Sequence, residues 1–380
     1  NSLDIGTPSD NTVTAAKLAN DAVTTAKIAD SNITSAKIAS GVIQNQSAFK
    51  NIVINGDMSI SQRGTSFTSL GNGDTKYTLD RMQYKESGST SSEITISQDN
   101  TVPTGQGFAK SLKIDVTTAD ASPGASDRVW LNTTFEGQNL QYLNKGTSSA
   151  KQLTCSFWIR SNKTGVYTVS LFDSDNTRAV SAEYSISSAD TWEKKTVTFP
   201  ADTTGAFTND NNLSLELQFT FSTGSDFNDG TFSTSWQSFD DGDYISSNQV
   251  NLLDNTSNEL YITGIQLEAG DTASDFEFLP YDVNLKRCYR YYFQHTLGHC
   301  GGYGKRAGIN GTFAILESSF YTVPMRASAS MSSGTPTFEN CSSLTFNSFG
   351  GGKSYMCRVT SSNTSAYRAY ETTVEHNAEL

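Results

Sequence analysis

The sequence predicts an all-β protein in three parts: a repeat stalk over residues 1–48, a two-sheet jelly-roll β-sandwich over 49–283, and a smaller β-rich unit over 284–380. Two observations lead to this prediction. A strict ten-residue repeat opens the chain, and a fixed period indicates a repeat architecture. After it, short segments of alternating apolar and polar residues are separated by turns rich in Gly, Asn and Asp, which is typical of β-strands.

The repeat consists of the blocks NTVTAAKLAN, DAVTTAKIAD and SNITSAKIAS. Burying two large apolar side chains per block cannot offset the ordering of ten residues at about 1–2 kcal/mol each. These side chains must therefore meet other copies of the chain, which predicts a symmetric homotrimeric stalk. A disordered Ala/Thr-rich tail is the alternative, but such a tail has no reason to keep a strict apolar register. The predicted stalk core is Val13, Leu18, Val23, Ile28, Ile33 and Ile38.

The strand signal is clearest in residues 213–221, where five apolar residues alternate with polar ones. This pattern predicts a strand with one face in a core and the other in water. Residues 112–116, 153–159 and 261–267 alternate in the same way. Trp158 lies within one of these segments, and the pattern leaves open whether it faces inward or outward.

Charge and composition exclude several classes of protein. The formal net charge is −12, with 39 acidic and 27 basic residues, so a nucleic-acid groove, which needs clustered Lys and Arg, is not expected. No run of 18 apolar residues exists, so we expect no membrane insertion. The five cysteines have no metal-knuckle spacing and are expected to be mostly buried thiols.

Three segments, taken in order, resemble phage tail-fibre proteins. Residues 51–64 (NIVINGDMSISQRG) and 262–270 (ITGIQLEAG), the latter followed by 276–278 (FEF), resemble the opening and closing strands of fibre jelly rolls that are similar to carbohydrate-binding modules. Residues 287–292 (RCYRYY) and 323–327 (VPMRA) resemble the tip domain that follows such modules. The T-x-A-K-I-A repeats also resemble those of phage fibre stalks.

The resemblance implies a homotrimer in the virion, on the tail or on the head. Its partners would be other virion proteins at the N-terminal end and a glycan on the host surface. We expect a fibre that binds this glycan for adsorption without cutting it, and no enzyme. One alternative is a structural head or connecting fibre that spaces and trimerises. A less favoured alternative is a polysaccharide depolymerase, which needs two carboxylates about 5–10 Å apart.

Sugars stack their C–H faces on aromatic rings, so aromatic residues near turns are candidates for ligand binding. Core packing is the alternative role for each of them. The candidates are Trp236, Tyr303 and Tyr355.

The sequence indicates no cofactor apart from a candidate structural calcium ion. Calcium takes six to eight oxygen ligands, often from acidic loops. The run Asp240, Asp241, Asp243 is such a loop, with a plain solvated loop as the alternative. The resemblance to carbohydrate-binding modules adds Asp57 and Glu268, because opening and closing strands there often share an ion.

Overall fold

The structure is a computed structural model that describes residues 49–71, 73–297, 300–302, 317–321, 323–339, 343–349, 351–360, 367–370 and 372–380. The stalk and the candidate ligand residue Tyr303 lie outside the described residues. The homotrimer and the stalk therefore stay predictions. The stalk residues concerned are Val13, Leu18, Val23, Ile28, Ile33 and Ile38.

The larger part of the described chain consists of antiparallel strands joined by loops and short 3₁₀ helices. The strands are β1 Ser66–Gly71, β2 Thr75–Tyr77, β3 Gln83–Ser87, β4 Glu93–Asp99, β5 Ser111–Thr118, β6 Arg128–Glu136, β7 Leu153–Ser161, β8 Gly165–Asp173, β9 Arg178–Ile186, β10 Glu193–Phe199, β11 Leu213–Thr223, β12 Gln237–Ser238 and β13 Glu259–Ala269. The 3₁₀ helices are Gly137–Asn139, Gln141–Leu143, Ser225–Phe227 and Leu252–Asp254.

These strands form two sheets. Among the described residues, one sheet has six strands in the order β1-β4-β5-β13-β7-β10, and the other has seven in the order β12-β9-β8-β11-β6-β3-β2. The chain changes sheet at most of its connections, as the strands of a jelly roll do. The predicted β-sandwich is therefore confirmed.

One apolar core fills the space between the sheets. Phe157 of β7 and Phe219 of β11, which belong to opposite sheets, meet edge to face with ring centroids 5.0 Å apart. The predicted alternation explains this core, since Cys155, Phe157 and Ile159 are all fully buried on one face of β7.

The prediction that β11 has one face in water is wrong. Its polar residues Glu216, Gln218 and Thr220 are buried as well. The segment 224–250 covers them: Tyr244 donates its hydroxyl to Gln218 at 3.1 Å. Arg128 of β6 donates to the same Gln218 oxygen at 2.7 Å. Hydrogen bonds from the covering segment and from the neighbouring strand β6 satisfy the polar face of this central strand.

The opening segment 51–56 is fixed to β13 by hydrogen bonds. Asn51 donates its side-chain amide to the carbonyl of Ile265 at 3.1 Å and accepts from the amide of Leu267 at 3.1 Å. The amide of Ile265 donates to the carbonyl of Gly56 at 2.9 Å. A Cβ at Gly56 would lie 2.0 Å from the Ile265 oxygen, so only glycine allows this approach.

The C-terminal part begins with a helix and continues as short strands. The elements are α1 Tyr281–Tyr289, β14 Tyr292–Leu297, β15 Cys300–Gly302, β16 Glu317–Phe320, β17 Ser330–Ser333, β18 Thr337–Glu339, β19 Ser343–Phe349, β20 Ser354–Thr360, β21 Tyr367–Tyr370 and β22 Thr372–Asn377. In the described ranges they form three-stranded sheets in the orders β14-β22-β17, β15-β21-β18 and β16-β20-β19. The all-β prediction is confirmed, and the domain boundaries stay predictions.

Buried charges join this C-terminal part to the sandwich. Glu136, fully buried at the end of β6, accepts two hydrogen bonds from the Arg290 guanidinium at 2.7 and 2.6 Å and one from the Tyr291 hydroxyl at 2.6 Å. Burial acts to raise the pKa of Glu136, but the hydrogen bonds from Arg290 and Tyr291 outweigh it and hold that pKa below its usual range. Nearby, the buried Arg81 pairs with Glu379, the penultimate residue.

Two histidines and two tyrosines pack together in the C-terminal part. The rings of His295 and His376 stack with centroids 5.1 Å apart, and Tyr355 lies 4.6 Å from His376. The Tyr321 hydroxyl shares a hydrogen bond with Nδ1 of His376 at 2.8 Å. Burial, and then the charge of His295, lower the pKa of His376 to about 3, so the cluster holds His376 neutral.

No helix in the described part of the chain is both long enough and apolar enough to cross a membrane.

Glu136→Gln tests the buried charge contact. The substitution keeps the shape of the side chain but leaves Arg290 without its carboxylate, so we expect the free energy of unfolding to fall by about 3 kcal/mol. Scanning calorimetry at fixed protein concentration and neutral pH measures this. The control is Asp190→Asn, which removes the exposed ion pair with Arg160 and should cost less than about 1 kcal/mol. Equal losses in the two variants would contradict the assigned role of Glu136.

The histidine cluster predicts a specific pH dependence. His376 binds its proton near pH 6.5 in the unfolded chain but only near pH 3 in the folded one. The unfolded state therefore binds more protons between these values, and stability falls as the pH drops from about 6.5 towards about 3. We expect His376→Asn to remove part of this slope in melting temperature measured between pH 7.5 and 4. Parallel slopes in the two proteins would show that His376 titrates normally in the fold.

Candidate functional site

The described residues line two pockets of a size suited to small ligands. The sheet-face pocket, about 310 Å³, lies on the outer face of the six-stranded sheet and includes Trp158, Lys194 and Phe278. The junction pocket, about 740 Å³, lies between the end of β6 and helix α1 and includes Tyr142 and Arg287.

Aromatic rings form one side of the sheet-face pocket. Phe108, Phe276 and Phe278 contact one another with ring centroids 4.8 to 5.0 Å apart. Phe278 remains 49% exposed despite these contacts. The cluster therefore packs one apolar ring at the surface, where a ligand can stack on it.

Trp158 supplies the second aromatic surface. It points away from the core, because its neighbours Phe157 and Ile159 face inward along the same strand. Its cross-strand partner on the outer face is Lys194 of β10. The orientation that the sequence left open is thus outward.

A β-bulge shapes this pocket. Between Thr263 and Gln266 the register of β13 against β7 shifts, and Gly264 adopts a positive φ of 63°. A Cβ at Gly264 would lie 2.5 Å from the Phe108 ring. The glycine is therefore required both for the bulge and for the close approach of Phe108.

The polar groups of the sheet-face pocket are free to bind a ligand. Within the described residues, no hydrogen bond or ion pair occupies the side chains of Gln106, Lys194 and Asp275 or the indole nitrogen of Trp158. Together they offer an amide, an ammonium, a carboxylate and an N–H donor beside two aromatic faces. This combination suits a polyhydroxylated ligand with apolar C–H faces, since rings bind those faces and the polar groups fix hydroxyls.

The junction pocket has a different character, with aromatic and cationic groups. Phe49 and Tyr142 are 57% and 44% exposed. Arg290 is paired with Glu136, whereas Arg287 makes one hydrogen bond among the described residues, to the carbonyl of Asn51 at 3.5 Å. Burial lowers the pKa of Arg287.

Trp236 is less available than its sequence context indicates. Its indole nitrogen donates to the carbonyl of Pro200 at 2.9 Å, and the partly buried ring packs against the sandwich core. The ammonium of Lys145 lies 5.1 Å from the ring centroid. Trp236 lies outside both pockets, so its ligand role stays a prediction with no support from this geometry.

Tyr355 packs in the histidine cluster, with its hydroxyl 3.3 Å from Nε2 of His295. It also lies outside the two pockets. Its ligand role, like that of Tyr303, stays a prediction.

The acidic candidates are engaged in hydrogen bonds. Asp243 accepts from the amide of Thr231 at 2.5 Å and from the Gln237 side chain at 2.8 Å. Asp240 accepts from the amide of Gly242 at 3.0 Å, whereas Asp241 contributes its carbonyl to the same turn.

Asp57 and Glu268 are held in the same way by different partners. Asp57 accepts from Ser59 and Asn284, each at 3.1 Å, and Glu268 accepts from Gln266 and Ser274. In the part of the chain that the structure describes, no group of three or more His, Cys, Asp or Glu residues is arranged to hold a metal ion. A structural calcium ion at these residues stays a prediction.

Sequence reasoning missed most of the sheet-face pocket. The parity of Trp158 against Phe157 and Ile159 carried the signal for its outward orientation. Gln106 and Lys194 carried no local signal, because only the folded sheet brings them to Trp158.

No family model matches the chain, and no curated protein matches it in sequence. Among solved structures, the chain is similar to the enzymatically active domain of bacteriophage CBA120 tailspike protein 4, with a TM-score of 0.31 and 13% identity over 58% of this chain and 21% of that one. The chain thus spans about a fifth of that tailspike chain. It is also similar to a family 11 carbohydrate-binding module from Clostridium thermocellum in complex with a mixed-linked tetrasaccharide, with a TM-score of 0.28 and 9% identity over 56% of this chain and 99% of the module. A CBM4 structure has a TM-score of 0.27 and 9% identity over 57% of this chain and 97% of that one.

Proposed function

We propose that this protein is a subunit of a homotrimeric phage fibre, on the tail or the head of the virion, that binds a host-surface glycan without cleaving it. The observation that carries glycan binding is the sheet-face pocket. Trp158 and Phe278 offer ring surfaces there, beside polar groups that have no partner among the described residues. The fibre part of the proposal rests on the ten-residue repeats and on the three segments that resemble phage fibres.

The composition of the pocket supports binding rather than cleavage. Most glycoside hydrolases use two carboxyl groups that flank the scissile bond. Among the described residues that line the sheet-face pocket, Asp275 is the one with a carboxylate. The free side chains of Gln106 and Lys194 can bind the hydroxyl groups of a glycan, and this binding does not need a second carboxylate.

The sheet-face pocket offers two ring surfaces and a few polar groups, so we expect one copy of the protein to bind a glycan weakly. A homotrimer would present three copies on one stalk, and binding of the second and third copies would then be intramolecular. The effective concentration of a linked site multiplies the overall affinity by about 10²–10⁴. Weak single contacts would in this way produce firm adsorption.

Trp158→Ala tests the assignment. Loss of one stacking surface costs about 1.4 kcal/mol, so we expect the affinity of a single site to fall about tenfold and the affinity of the homotrimer for host cells to fall by at least that factor. The matched control is Trp192→Ala, because Trp192 lies outside the pocket and packs against Tyr261 with ring centroids 6.3 Å apart. Binding of labelled protein to cells of the host bacterium, and competition with the parent particle, measure the effect.

Three outcomes would contradict the proposal. Intact wild-type protein that neither binds cells nor blocks adsorption would indicate a structural fibre. New reducing ends released from the surface polysaccharide would indicate a depolymerase. An equal loss of binding in the Trp158 and Trp192 variants would remove the sheet-face pocket as the site.

A further inference from the structure

We propose that the junction pocket binds a carboxylate-bearing saccharide, with the Arg287 guanidinium as the partner of its carboxylate. This site is separate from the sheet-face pocket, and the proposal does not depend on the function assigned to that pocket. It rests on three features: Arg287 has no ion-pair partner among the described residues, the rings of Phe49 and Tyr142 line the same pocket, and the pocket is large enough for a saccharide.

Arg287 differs from the other cations of the pocket. Arg290 holds Glu136 by two short hydrogen bonds, and Lys286 lies 3.5 Å from Asp282 on the exposed surface of α1. Arg287 forms no ion pair with any described carboxylate, and its one hydrogen bond, to the Asn51 carbonyl, is 3.5 Å long. A guanidinium has five N–H donors in a fork that matches a carboxylate. Most of these donors therefore remain available to a ligand.

The nearest acid does not fill this role. Glu277 contributes to the electrostatic surroundings of Arg287, but its two oxygens accept from the backbone amides of Phe49 at 2.5 Å and Asn51 at 2.9 Å. Glu277 therefore forms no ion pair with Arg287, since their charged atoms are more than 4.0 Å apart. Arg287 is thus partly buried without an acidic partner among the described residues, although the chain has 39 acidic residues against 27 basic ones. Its charge is costly to bury unless an anion offsets it.

The remaining lining indicates a saccharide rather than a small inorganic anion. Tyr142 and Phe49 line the pocket and are each about half exposed, and sugar C–H faces stack on such rings. The exposed Asn139 has no side-chain hydrogen bond to the described residues and can bind hydroxyls. The volume of about 740 Å³ is also far larger than a small anion needs.

The test compares saccharides that differ in charge alone. Oligosaccharides ending in a uronate or a sialate are titrated into the full chain by calorimetry, each beside its methyl ester, with sodium acetate as the simple anion. We expect at least one acid to bind and its methyl ester to bind at least about tenfold more weakly, since a charged hydrogen-bonded pair is worth about 1.5–3 kcal/mol. Arg287→Gln should reduce binding of the acid to the level of the ester.

Two variants separate binding from folding. Tyr142→Ala, at an exposed ring, should weaken the acid and the ester alike by removing a stacking surface. Lys76→Gln, at an exposed lysine of β2 outside the pocket, removes one positive charge and should leave binding unchanged. Melting temperatures confirm that each variant is folded.

The proposal is overturned if wild-type protein binds none of the acids, or binds each acid and its ester equally. It is also overturned if Arg287→Gln and Lys76→Gln lose the same affinity, because the effect would then come from net charge. Acetate that binds as tightly as the saccharide would reduce the site to a simple anion site.

Discussion

The backbone of Ile265 is the point on which the arrangement of both pockets depends. Its amide and carbonyl bond to Gly56 and Asn51 of the opening segment rather than to the neighbouring strand β7. As a result two residues of β13, Gly264 and Ile265, lie opposite one residue of β7. The bulge that follows lets Phe108 approach the strand, and so places the aromatic side of the sheet-face pocket. Asn51 of the same segment and Phe49, two residues before it, form part of the junction pocket.

Buried charges then fix the C-terminal part against the sandwich. A buried ion pair repays its desolvation only with good geometry and further hydrogen bonds. Glu136 meets this condition through Arg290 and Tyr291, and Arg81 meets it through Glu379 and the carbonyl of Thr134 at 2.7 Å. An apolar contact of the same size would allow sliding, whereas a forked hydrogen bond sets one orientation. The contact of Glu136 with Arg290 and Tyr291 positions α1, which forms one wall of the junction pocket.

The sequence predicts the sandwich well because alternation reports which side of a strand is buried. It fails for the outer face of β11, since the covering segment 224–250 has no periodicity of its own and its contact with Gln218 is long-range. The same limit applies to sites. Trp236 has polar neighbours in sequence, yet its indole nitrogen bonds to Pro200, 36 residues away. Arg287 and Asn51 are 236 positions apart, and no local pattern could bring them together.

The motif that suggests the phage-fibre resemblance at residues 51–64 has a structural explanation. Asn51 and Gly56 secure β13, and Asn55 donates to the carbonyls of Ile60 and Asp80 at 2.9 Å each. These residues are needed to seat the opening segment, and none of their bonds depends on a particular ligand. Gln106 and Lys194, which line the sheet-face pocket, lie outside that motif, and their side chains make no hydrogen bond to the described residues. The residues that seat the opening segment and those that line the sheet-face pocket are therefore different sets, so a substitution at Gln106 or Lys194 changes the pocket without removing a hydrogen bond to β13.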